Sequence, residues 1–194
     1  MRGLLALTLL LGGWLVGCAP GPVRTMSEHA VMPDYSNDVV EALRDHPVKV
    51  EVRGDPFGLP AGAFAGQIAA AMSDVRDMPA LAFSSRDLPD LAPGYRVVWD
   101  FAARRGPAPD ELCGAATPPI ERPALPIDAY AVLCRDDKAL SAVRVRLYYT
   151  DTPNSLEFIA LVDAATRALF PDRPPAFRRV GTSRLAPWAP HVAR

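Results

Sequence analysis

Three stretches of this chain alternate apolar and polar positions one residue at a time. They follow one another with no helical pattern between them. In residues 95–102, Tyr95, Val97, Trp99 and Phe101 alternate with Arg96, Val98, Asp100 and Ala102. In residues 128–134, Tyr130, Val132 and Cys134 alternate with Ala129, Ala131 and Leu133; in residues 141–149, Val143, Val145, Leu147 and Tyr149 alternate with Arg144, Arg146 and Tyr148. A period of two marks a strand, because successive side chains point to opposite faces of a sheet. The polar turn Arg135-Asp136-Asp137-Lys138 joins the last two stretches and predicts a hairpin. Consecutive strands of this kind pair antiparallel and leave an apolar face that another layer must cover.

The remaining periodic segments supply that layer. Val48, Val50 and Val52 alternate with Lys49, Glu51 and Arg53 as a half-buried strand, and Leu81 with Phe83 suggests a short one. Between them, Phe64, Ile68, Met72 and Val75 fall on one face of a helix spanning 61–75. Phe158, Leu161, Val162, Ala165 and Leu169 make a second stripe, with Thr152 as N-cap, Pro153 at the first helical position and a stop before Pro171. A shorter helix is expected over 37–45, with Ser36 as its N-cap. The expected architecture is α+β: a two-layer sandwich with a mainly antiparallel sheet of four to five strands and two longer helices on one face. It occupies residues 36–171, after a tether over 18–35 that carries Pro20, Pro22 and Pro33 and before a Pro/Arg-rich tail over 172–194.

The first eighteen residues have a different character. Arg2 provides a positive start, Leu4–Val16 is an apolar run, and Leu15-Val16-Gly17-Cys18 ends it. A run of this length falls short of the roughly 20 residues that cross a bilayer as a helix, and it suits the core of a signal peptide. The final four residues resemble the lipobox of bacterial lipoproteins: a branched apolar residue, a tolerant position, a small residue and a cysteine. The resemblance implies cleavage before Cys18, a diacylglycerol thioether on its sulfur, and a stable multi-chain anchor that includes palmitate-type acyl groups. Ala19 stands where Asp would retain such a protein at the inner membrane of enteric bacteria. The implied location is the outer membrane, facing the periplasm.

In that oxidising compartment the two other cysteines, Cys113 and Cys134, are expected to pair. The bond would close a loop of about 22 residues and stabilise the fold by roughly 3 kcal/mol on the chain-entropy argument. It would also pin the connector 104–126, which holds six prolines (107, 109, 118, 119, 123 and 126). Inert buried thiols and a catalytic cysteine are the alternatives, with His29, His46 or His191 as the available bases.

Lysine plus arginine number 21 against 22 acidic residues, for a formal net charge of −1. This balance argues against nucleic acid as the partner. No phosphate-binding loop, nucleophile elbow, zinc-protease motif or paired Cys-x-x-Cys occurs, so no catalytic residue, metal ligand set or cofactor is read. Asp136-Asp137 is taken as a solvated turn. Two features suit binding. The polar positions of the strands carry Lys49, Arg53, Arg96, Arg144 and Arg146, with Glu51 and Asp100 among them. The tail carries Arg178, Arg179 and Trp188 among its basic and aromatic residues. The expectation is a non-catalytic lipoprotein that docks another envelope protein. A small-molecule-binding lipoprotein is the alternative, followed by a hydrolase of cell-wall or lipid material.

The leader generates the first prediction. Cys18→Ser should abolish incorporation of labelled palmitate and leave a precursor that is uncut or cut elsewhere. Palmitate that still enters the variant would contradict it.

Overall fold

The strand over residues 95–100 lies in the interior of the sheet, and both of its faces are covered. A computed structural model describes residues 24–60, 62–102, 107–114, 126–148, 150 and 152–171. Along the chain these form β1 (Arg24–Val31), α1 (Asn37–Ala42), β2 (Val48–Arg53), α2 (Ala63–Ser73), β3 (Phe83–Ser84), β4 (Tyr95–Asp100), α3 (Pro109–Cys113), β5 (Ile127–Arg135), β6 (Lys138–Leu147) and α4 (Leu156–Leu169). The fold is α+β, with one mixed six-stranded sheet in the order β1-β6-β5-β4-β2-β3.

The consecutive strands β4, β5 and β6 pair antiparallel, as their alternation requires. The sheet departs from the expected mainly antiparallel four or five strands at its two sides. β2 runs parallel to both β3 and β4. The cause is the helix between β2 and β3: α2 carries the chain back to the end where β2 began, so the next strand must point the same way. On the far side, β1 pairs antiparallel with β6 through a register shift between Met26 and Glu28. Residues 24–31, expected to be part of the tether, are therefore an edge strand. Their sequence, Arg-Thr-Met-Ser-Glu-His-Ala-Val, has no clean alternation. The partner strand's backbone provides the template.

One face of the sheet carries the main core. Val48, Val50, Val97, Trp99, Ala131, Leu133, Val143 and Val145 pack against Phe64, Ile68 and Met72 of α2 and against Phe158, Leu161, Val162, Ala165 and Leu169 of α4. Both longer helices thus serve the same side of the sheet. Phe57, Phe64, Phe101 and Phe158 form a connected cluster with neighbouring ring centroids 5.0–6.3 Å apart. Such edge-on and tilted contacts suit the ring quadrupole. Trp99 has no exposed surface, and its indole Nε1 donates to the Met72 sulfur at 3.4 Å.

Local chemistry sets the boundaries. Asp55 accepts from the backbone N–H of Phe57 at 2.8 Å and from that of Leu59, which shapes the loop before α2. Gly54 precedes that loop with φ +78°, and a Cβ there would meet Ala102 at 3.1 Å. Ser36 stands at the N-cap of α1 without a side-chain capping bond. The N-cap of α4 is Ser155, not Thr152. Its Oγ accepts from the Phe158 N–H at 3.1 Å, while Thr152 closes a separate turn by accepting from the Ser155 N–H at 3.2 Å. At the other end of α4, Ser141 of β6 donates to the Leu169 carbonyl at 2.6 Å, and the Tyr35 hydroxyl donates to the Pro171 carbonyl at 3.3 Å. A helix C-terminus has carbonyls with no partner of their own; Ser141 supplies a donor to one of them, and Tyr35 holds the chain just past the helix.

These contacts predict that Trp99→Ala costs about 3–5 kcal/mol in chemical denaturation, the range for emptying a large aromatic site. Ser141→Ala should cost about 1–3 kcal/mol, because it leaves a buried carbonyl without its donor. A Trp99 variant with unchanged stability would mean that the core is not where it is described.

Candidate interaction face

The opposite face of the sheet follows from register. Lys49, Arg96 and Cys134 are successive cross-strand neighbours, as are Glu51, Val98, Val132 and Ala142; the next row is Arg53, Asp100, Tyr130 and Arg144, and Asp128 faces Arg146. The apolar members, Val98, Val132, Cys134, Ala139 and Ala142, form a second buried cluster with Leu112 and Cys113 of α3. This face is therefore not a uniformly solvated charged surface. Its middle is a small core under a five-residue helix.

Four kinds of contact hold α3 there. A disulfide joins Cys113 to Cys134 of β5, as the cysteine reading expects. Asp110 accepts from the Ala139 N–H at 2.8 Å. Arg53 donates to the Gly114 carbonyl at 2.9 Å, and Arg96 donates to the Cys113 carbonyl. The last two are cations placed on the last carbonyls of a helix, where the backbone dipoles favour positive charge. Arg96 also approaches Glu51 at 3.7 Å and Asp137 at 3.8 Å, and Arg53 lies 3.9 Å from Glu51 with its side chain 10% exposed. Two of the five strand cations proposed for docking are thus engaged inside the domain. Lys49 is a third, donating to the Ser85 carbonyl at 3.0 Å and to Asp87 at 2.6 Å.

The other two, Arg144 and Arg146, lie beside α3 rather than under it. Arg146 makes a two-pronged bond to Asp128, at 2.9 and 2.7 Å. That hydrogen bond raises the Arg146 pKa above its ordinary value against the opposing effect of burial, so the guanidinium keeps its charge at every pH the protein meets. Arg144 lies 3.6 Å from the same carboxylate and 5.5 Å above the ring of the buried Tyr130. The result is a half-exposed group of two guanidiniums and one carboxylate, with Arg144 over an aromatic ring. Strand alternation indicates the side chains on this face, but it does not reveal Tyr130 and Asp128 as their partners. Cross-strand register is needed for that.

The acidic pair in the β5–β6 turn is structural. Asp136 takes φ +54° and donates its N–H to the Gly94 carbonyl at 2.7 Å. Asp137 projects into water. A Cβ on Gly94 (φ +75°) would meet the Asp136 carboxylate at 2.8 Å, which explains the glycine. His29 on β1 and His46 before β2 sit four strand spacings apart, about 19 Å in the sheet direction. His46 uses its Nδ1 on the Asp90 carbonyl at 3.0 Å. No group of three or more His, Cys, Asp or Glu side chains that could hold a metal occurs among the described residues, and no helix among them is long and apolar enough to cross a membrane. Cys18, Arg178, Arg179, Trp188 and His191 lie outside the described residues. Comparison with protein-family models, curated proteins and solved structures finds no match.

Removing the disulfide by Cys113→Ala with Cys134→Ala should lower stability by about 3 kcal/mol and speed hydrogen exchange at Leu112–Gly114 before the rest of the domain. Arg146→Ala should change stability by less than about 1 kcal/mol, as expected for a solvent-screened pair. Equal protection of α3 with and without the bond would show that Arg53, Arg96 and Asp110 hold it unaided.

Proposed function

We propose that this chain is a non-catalytic lipoprotein, anchored through lipid on Cys18 in the periplasmic face of the outer membrane, whose domain binds another envelope protein. The observation that carries the reading is the Cys113–Cys134 disulfide. Such a bond persists outside the reducing cytosol, which agrees with export by the leader. It also ties up the two thiols of the domain, either of which could otherwise have served as a nucleophile. The binding site we favour is the patch of Arg144, Arg146 and Asp128 beside α3. Arginine is enriched in protein–protein hot spots. The Asp128 carboxylate holds the Arg146 guanidinium in place, so less rotamer entropy is lost on docking. The tail residues Arg178, Arg179 and Trp188 form a second candidate element for the same partner.

The reading is tested with a photo-crosslinking amino acid at position 146 and, as a control, at the solvent-facing position 87. In intact cells the first should give a discrete adduct with one envelope protein and the second should not. No adduct at 146, or the same adducts at both positions, would count against the patch.

A further inference from the structure

The start of β1 fixes which end of the domain lies nearest its anchor. Arg24 pairs with Leu147 at the end of β6. From there the chain enters α4, which runs back along the sheet until Leu169 meets Ser141, near the other end of β6. The first turn of α4 and the first residue of β1 therefore share one end of the domain. Only six peptide steps separate Arg24 from Cys18, a reach of at most about 22 Å even when fully extended. That distance replaces the long spacer expected from residues 18–35.

The same end bears two outward apolar side chains. Leu156, in the first turn of α4, is 81% exposed, and Ile159 is 42% exposed. Three residues apart on a helix, they are neighbours on one surface. Phe158, Leu161 and Val162 face the core, so the rotation of α4 is fixed and the outward pair cannot turn inward. Single exposed apolar residues are ordinary on a protein surface; what sets these two apart is their position. Only one other described residue, Leu88, is a large exposed hydrophobic.

Building on the lipidation of Cys18 proposed above, we infer that this end of the domain is seated on the bilayer that holds the lipid, with Leu156 and Ile159 inserted at the boundary of headgroups and acyl chains. The lipid confines the end to the interface, and the two side chains near the start of α4 supply a shallow apolar contact at that boundary. The strands then stand away from the membrane, and the β5–β6 turn is at the far end.

The test uses the full-length lipidated chain in vesicles of phosphatidylethanolamine and phosphatidylglycerol. Leu156→Cys and, separately, Asp137→Cys in the β5–β6 turn are labelled with the same polarity-sensitive fluorophore. The label at 156 should shift to shorter wavelength on reconstitution and lose several-fold of its acrylamide quenching, while the label at 137 changes in neither respect. Equal quenching at both positions on chains that still float with the vesicles overturns the seating and leaves the anchor intact. Protection at 156 that is already present in a chain lacking residues 1–18, free of both vesicles and detergent, overturns it in favour of a protein occupant. Flotation is scored separately with Cys18→Ser in a chain from which residues 1–17 have been removed: if that variant floats as well as the native chain, the anchor reading fails, and the seating fails with it.

Discussion

The fold depends on the interior strands β4 and β5 having almost no side chain in water. Val97, Val98 and Trp99, and Ala129 through Cys134, are all buried. A strand buried on both faces needs a cover on each side, and the two covers here are built differently. The main side has two helices of eleven and fourteen residues with apolar stripes, enough surface to hold themselves on the sheet. The other side has five residues of helix, too short to form alone, because nucleation costs more than so few hydrogen bonds return. The covalent bond to β5 solves that problem. It gives a minimal cover an attachment that a hydrophobic stripe could not provide.

This accounts for the use of arginine on the outer face. Arg53 and Arg96 reach the last carbonyls of α3, where the backbone presents partial negative charge and no other donor. Their alternation with Val50, Val52, Val97 and Trp99 only says that they point away from the main core. In a one-sided sheet that direction is solvent; here, for part of the face, it is a second and smaller interior. Arg144 shares a cross-strand row with Arg53 at the edge of that enclosure, and Arg146 lies one same-face row farther along, opposite Asp128.

The limits of sequence reading follow from the same geometry. The alternation around Trp99 and along 143–147, the stripes of α2 and α4, and the cysteine pair were legible because each is a local pattern with one physical solution. The parallel placement of β2 was not, since a strand's own side chains do not encode its partner's direction. β1 was hidden for a related reason: an edge strand can be specified by the backbone of its neighbour, and Arg24–Val31 carries little pattern of its own. The start of α4 was displaced by three residues because Thr152 and Ser155 are both good caps, and the local turn at Thr152 decides between them. For the candidate face, the residue types were legible but their engagements were not. Salt bridges and carbonyl contacts depend on register, which appears only once the strands are aligned.

The path of the chain through the domain has a mechanical consequence. The described chain begins at Arg24 at one end of β1 and finishes at Pro171, beside Tyr35, at the other end of the sheet. A pull applied between these two points runs nearly parallel to the strands. Under such a load the hydrogen bonds between β1 and β6 are strained side by side in shear. They must yield together, whereas a pull across the strands would open them one at a time. A pull between Arg24 and Pro171 therefore meets more resistance at the β1–β6 seam than the same force acting across the sheet.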